Sequence, residues 1–363
     1  MTRLRLVLCV VVLSAPALAF VVHGPRAATV AAAVESTSRA FPAVSTAEMQ
    51  PFERPGNYVQ PYGSALGVSV AAVLCGELIR VPGTADVAVS VCGRLAGTTS
   101  LPLLGASLAV LRAASFTGPA LLATLTCQRL NLGIALSSVA ACIIGSPRPV
   151  LSVVVARVGT ALLCLEVWSK FSGANAGDPV SEVTTALKST AQAVRRTIDL
   201  FCAGLGGGAP DGAEAAVTSS AVTANYAALA LVQIAIALAV CASPSAAVPA
   251  LYPVASPGSG AARNAASSAI LSAVCATTLA DAAATRTPHS SGQQQLQPFR
   301  WLNRAMLASA SAALAVQAGA AGLMGAGAVR SLGRAAIVAM AAAQLVQLAT
   351  VAVCVQQDST WSI

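Results

Sequence analysis

From Ala215 to Ala262 the chain reads AAVTSSAVTANYAALALVQIAIALAVCASPSAAVPALYPVASPGSGAA, without a single Asp, Glu, Lys or Arg. A soluble fold covers itself with charge, and this stretch has none to offer. The whole chain of 363 residues follows suit. Charged residues make up 9%, against about 25% in ordinary globular proteins, and mean hydropathy is +0.74. Length alone admits one or two soluble domains, but composition overrides it. The chain reads as a polytopic membrane protein. Lipid offers no partner for a backbone N–H or C=O, so the expected class is all-α, a transmembrane helix bundle.

Working outward from that stretch, apolar segments fall near 64–81, 85–111, 113–127, 130–146, 149–168, 220–242, 265–283, 302–326 and 331–355. A span takes roughly 20 residues, which predicts about eight spans, with six to nine admissible. The run LPLLGASLAVLRAASFTGPALLATL, with Arg112 in its middle and Pro119 beyond, reads as one long kinked helix or as two pieces. Between the fifth and sixth segments lies GDPVSEVTTALKSTAQAVRRTIDLFCAGLGGG. Asp178 can cap a helix there and Pro179 can take its first position. Leu187, Val194, Ile198 and Phe201 share one face of it, which predicts an amphipathic helix near 179–203 outside the hydrocarbon, lying on a leaflet or packed on the bundle. The chain thus divides into an N-terminal group of spans (51–171), this helix with its Gly-rich linker (172–219), and a C-terminal group (220–363). RLNLGIALSSVAACII (Arg129 to Ile144) can be laid over WLNRAMLASASAALAV (Trp301 to Val316), matching Leu-Asn and several small residues. In an Ala-rich chain such a match arises easily, so sequence alone leaves a duplication open.

The N-terminus has its own logic. Residues 1–19 combine Arg3 and Arg5, a short apolar core LVLCVVVL, and APALA at cleavage-site spacing, the parts of a signal peptide. An uncleaved first membrane helix is the alternative, disfavoured by the short core. Residues 20–50 start with Phe20, are rich in Ala, Val, Ser and Thr, carry Arg26 and Arg39, and hold only Glu35 and Glu48 as acids. That is transit-peptide composition. Together the two parts resemble the bipartite signal-plus-transit leader of nucleus-encoded plastid proteins in algae with complex plastids, of the dinoflagellate or heterokont type. The resemblance covers about residues 1–50 and implies a plastid membrane, thylakoid or envelope. An exported membrane protein with a low-complexity N-terminal segment is the other reading.

Chemistry is sparse. His23 lies in the leader and His289 in a polar loop, so no His sits in an apolar segment. None of the nucleophile, zinc or phosphate-loop motifs occurs, and the ten cysteines form neither a C-x-x-C pair nor a Cys/His cluster, so no metal site and no enzyme are expected. The net charge of +8 comes from single Lys and Arg between apolar segments, not from a patch that would bind nucleic acid.

What remains are charges inside apolar segments, which lipid makes costly. Glu77 and Arg80 are three apart and can pair on one helical face. Arg157 and Glu166 are nine apart and cannot, so each needs another partner; for Glu166 the candidates are Arg112 elsewhere in the bundle and Lys170, four residues on in the favourable Glu-to-Lys order. Glu77, Arg80, Arg157 and Glu166 are therefore the candidate binding residues. They would hold a solute, or a pigment such as chlorophyll through a neutralised carboxylate. The competing reading makes them interhelical ion pairs and interface anchors. Two functions follow: an accessory or scaffold subunit of a thylakoid assembly, partnered by lipid and other thylakoid subunits, or a small-solute transporter or channel. They differ in whether the four charges converge on a central cavity or turn to neighbours and headgroups.

Overall fold

The computed structural model describes residues 58–73, 98–144, 151–171, 213–243, 247, 251–252, 260–285, 293–331 and 334–358. Glu77, Arg80, the leader and the amphipathic segment 179–203 lie outside them. The described residues are all-helical, without a strand. In chain order the helices are α1 (Val59–Val73), α2 (Leu101–Thr117), α3 (Pro119–Leu122), α4 (Leu125–Ile143), α5 (Leu151–Phe171), α6 (Ala213–Ala242), α7 (Gly260–Thr285), α8 (Gln293–Ser331) and α9 (Arg334–Asp358).

Local chemistry sets the breaks. The run through Arg112 is two pieces. Helix α2 opens with Pro102 in its first turn, where a missing N–H costs nothing, and closes at Gly118 with φ of 134°, a conformation glycine accepts and other residues resist. Pro119 then starts the single turn of α3. Thr124 caps α4: its hydroxyl accepts from the Cys127 N–H at 3.5 Å and donates to the Leu121 carbonyl at 2.6 Å.

Among the described residues, four stretches are long and apolar enough to cross a bilayer: Leu151–Phe171, Ala221–Ala242, Asn264–Ala283 and Ile337–Asp358. The 21 residues of α5 extend about 31 Å at ~1.5 Å per residue, matching a hydrocarbon core of about 30 Å. Helix α2 is apolar but shorter, at 17 residues.

Helix α7 is the hub, packing against α2, α4, α6 and α8. Its spanning stretch is 72% buried, whereas that of α9 is only 17% buried. One continuous core includes Tyr62, Leu104, Leu108, Leu130, Cys164, Tyr226, Leu271, Leu279 and Leu302. Small residues let the backbones close up. A Cβ on Gly133 of α4 would stand 2.6 Å from Cγ2 of Val274 on α7, so the hydrogen of glycine is what admits the valine.

Apolar side chains also line the outside. On α5, Leu151, Val155, Val158 and Leu162 recur at helical spacing and are exposed; on α9, Val338, Leu345, Leu348 and Val355 do the same. Contiguous apolar stripes of this kind are a liability in water and are the normal covering of a helix in lipid.

Candidate functional site

Two regions of the bundle concentrate polar chemistry. The first is one of its ends. The N-terminus of α1 meets the C-terminus of α5, where Lys170 Nζ donates to the Tyr58 hydroxyl at 2.8 Å and pairs with Glu166 Oε1 at 3.0 Å. Lys170 also sits over the Tyr58 ring, and Phe171 meets that ring edge-on. Arg112, at the C-terminal side of α2, lies against Gly63 of α1 and over the Phe116 ring. Arg129 at the start of α4 forms an ion pair with Asp281 near the end of α7. Arg304 of α8 grips Asp358 at the end of α9 with two bonds of 3.1 Å. In each of these contacts between helices the N-terminal part of one meets the C-terminal part of another, so the pairs gather at one end. Glu166, Lys170 and Arg304 are about half exposed, so their pairs give little stability.

The second region is a polar seam deep between α2, α5, α7 and α8. Ser100 Oγ donates to Asn264 Oδ1 at 3.2 Å. Arg157, 2% exposed, reaches the same Asn264 Oδ1 through Nη2 and Ser267 Oγ through Nη1, both at 3.5 Å. Ser309 Oγ donates to the Thr99 carbonyl at 2.6 Å, and the hydroxyls of Ser268 and Ser309 lie 3.4 Å apart. Ser107 Oγ meets Cys275 Sγ at 3.7 Å where α2 and α7 touch.

Of the four charges singled out in the sequence, Glu77 and Arg80 lie outside the described residues. Arg157 and Glu166 are not brought together. Glu166 turns to Lys170 at the bundle end rather than to Arg112, while Arg157 turns inward to α7. Of the two candidate partners for Glu166, the local one holds, because Lys170 is one helical turn away on the same face.

Sequence reasoning passed over the neutral members of the interior. Tyr62 of α1 donates to Asn131 Oδ1 on α4 at 2.6 Å, and Tyr226 of α6 donates to Asn303 Oδ1 on α8 at 2.7 Å. Asn303 Nδ2 goes on to the Cys354 carbonyl at 2.9 Å. The signal was an Asn inside each of two apolar segments, since a buried amide has to find a partner. Among the described residues, no group of three or more His, Cys, Asp or Glu side chains gathers as a metal site. Among the described cysteines, Cys127, Cys164, Cys241, Cys275 and Cys354 are free thiols. No protein family, no curated protein and no solved structure matches this chain.

Proposed function

We propose that this membrane protein is a non-catalytic plastid protein of eight spans (α1, α2 and α4 to α9) that serves as an accessory or scaffold subunit of a thylakoid assembly. One observation carries the non-catalytic reading: the strongest bonds among the interior polar side chains tie helix to helix. Tyr62 holds Asn131, Tyr226 holds Asn303, and Ser100 and Arg157 hold Asn264. The weakly buried α9, with its outward apolar stripe, supplies surface for lipid and for neighbouring membrane subunits. The plastid and the thylakoid rest on the two-part leader composition alone. Chlorophyll or another pigment is a ligand only in so far as the assembly is photosynthetic.

A specific observation favours a second reading, a small-solute carrier. Arg157 is a buried cation in the seam, and Gln317 of α8 is 1% exposed with neither amide atom partnered among the described residues. Buried polar groups between helix groups are where membrane carriers keep solute sites. Native electrophoresis of the source membranes in mild detergent separates the two. Co-migration with a photosynthetic complex is expected; migration as a free protein, with solute flux in reconstituted vesicles, would replace the first reading by the second.

A further inference from the structure

The long helices fall into two sets of four that pack alike. The first set is α1, α2, α4 and α5; the second is α6, α7, α8 and α9. In each set the first helix packs on the second, the third on the fourth, the first on the fourth, and the second on the third. Between the sets, α7 packs on α4 and α2 packs on α8, so each second helix meets the other set's third. The two second helices, α2 and α7, meet each other. Among the described residues this accounts for every substantial helix contact except those of the short α3. Each contact has a counterpart, and the α2–α7 contact is its own.

The side chains obey the same correspondence. The buried Tyr–Asn bond occurs once in each set, between first and third helices, at 2.6 and 2.7 Å. In both, the Asn follows a fully buried leucine, Leu130 and Leu302. From Tyr62 and from Tyr226, buried residues recur four, seven and eleven positions on: Leu66, Ser69 and Val73 in α1, Ala230, Gln233 and Ala237 in α6. The fourth helices each carry a buried Thr and, four residues later, a buried Cys: Thr160 and Cys164, Thr350 and Cys354. Both threonines bond back to the carbonyl four residues earlier at 2.8 Å. Aligning Ser107 with Cys275, which touch, sets Leu103 against Leu271 and Leu111 against Leu279, all buried.

We infer that the chain is a tandem duplication of a four-helix unit, its two copies related by a pseudo-two-fold axis that runs along the α2–α7 contact. The direction follows from register. Contacts advance from Ser100–Asn264 to Ser107–Cys275, with both numbers rising, so α2 and α7 are parallel. An axis that exchanges two parallel neighbours runs alongside them, so both copies have the same orientation in the bilayer. A Leu-Asn match in Ala-rich sequence is weak by itself. The same tyrosine bonded to it from the corresponding helix, together with the same contact pattern, is independent of that match. The inference goes beyond either reading of function and does not depend on the plastid location.

The test is the topology of the full chain. Short epitope tags placed after Phe171 and after Asp358, the ends of the two copies, should be reached from the same membrane face. Tags in 145–150 and at 332–333, the third-to-fourth helix connections, should both be reached from the opposite face. Copy ends on opposite faces would overturn the duplication as stated. Should a tagged chain fail to accumulate, the variant Ser107→Cys supplies a second measurement. Oxidation should cross-link it to native Cys275 within one chain, and the double variant Ser100→Cys/Asn264→Cys should cross-link as well; helices α2 and α7 that do not meet in parallel register would leave at least one pair unlinked.

Discussion

Gly133 shows how little room the α4–α7 contact leaves. Glycine inside a helix costs about 1 kcal/mol relative to alanine, so Gly133→Ala should stabilise on propensity alone. The clash with Val274 opposes it, and overpacking costs about 1–3 kcal/mol. The clash wins. Gly133→Ala should lower the unfolding midpoint in detergent, and adding Val274→Ala should restore it; a single variant as stable as the parent would refute the close approach. Glu166 behaves differently. It is half exposed and paired one turn away with Lys170, so Glu166→Gln should cost no more than about 0.5 kcal/mol. The same thermal measurement checks it, and loss of a bound pigment or of solute flux would make Glu166 a ligand instead. These two residues mark what was legible. The Glu166–Lys170 pair could be read from spacing, whereas Arg157 could not, because its partner Asn264 lies 107 positions away on α7. At the position of Arg157 the second copy has Gln347, so a buried charge stands on one side of the axis only.

At the scale of elements, the apolar runs foretold most helices because lipid demands continuous apolar length, and that demand is written locally. The break at Gly118 was half legible: Pro119 marked it, but two pieces and one kinked helix look alike in sequence. The Tyr–Asn bonds were not legible, since each joins helices about seventy residues apart. Their stability is asymmetric. Asn303 Nδ2 bonds the Cys354 carbonyl, whereas Asn131 Nδ2 has no partner among the described residues. Tyr226→Phe would strand the Asn303 oxygen in a dry interior at a cost of about 1–3 kcal/mol. Asn303→Leu should cost more than Asn131→Leu, because it breaks bonds to Tyr226, to the Cys354 carbonyl and to Asp358 rather than a single bond. Denaturant titration of the two variants checks the order, and equal losses would refute it.

For the whole molecule, the membrane class was evident from composition, whereas the relation between its halves was not. The repeated Leu-Asn pointed to it, but only packing showed that the tyrosines, threonines and cysteines repeat as well. Targeting belongs to the same scale. A reporter fused to residues 1–55 should reach the plastid, and deleting 20–50 should strand it in the secretory route; secretion of the intact fusion would sink the plastid reading.

Among the four stretches long and apolar enough to cross a bilayer, the most enclosed is also the least apolar. The Asn264–Ala283 stretch of α7 has a mean hydropathy of 1.3, below the 1.8 to 2.0 of the other three. Nothing in its own composition drives it strongly from the insertion machinery into lipid, since it carries serines, threonines and Asn264, of which Asn264, Ser267 and Ser268 find their partners on other helices. Biogenesis therefore depends on company. Helix α6, apolar and the most extensively packed neighbour of α7, is made first and can hold it as a hairpin until α8 arrives. A substitution that loosens α7 exposes a polar helix to the bilayer, the feature by which membrane quality-control proteases select their substrates. Damage at this hub should be read in cells as low abundance rather than as altered activity.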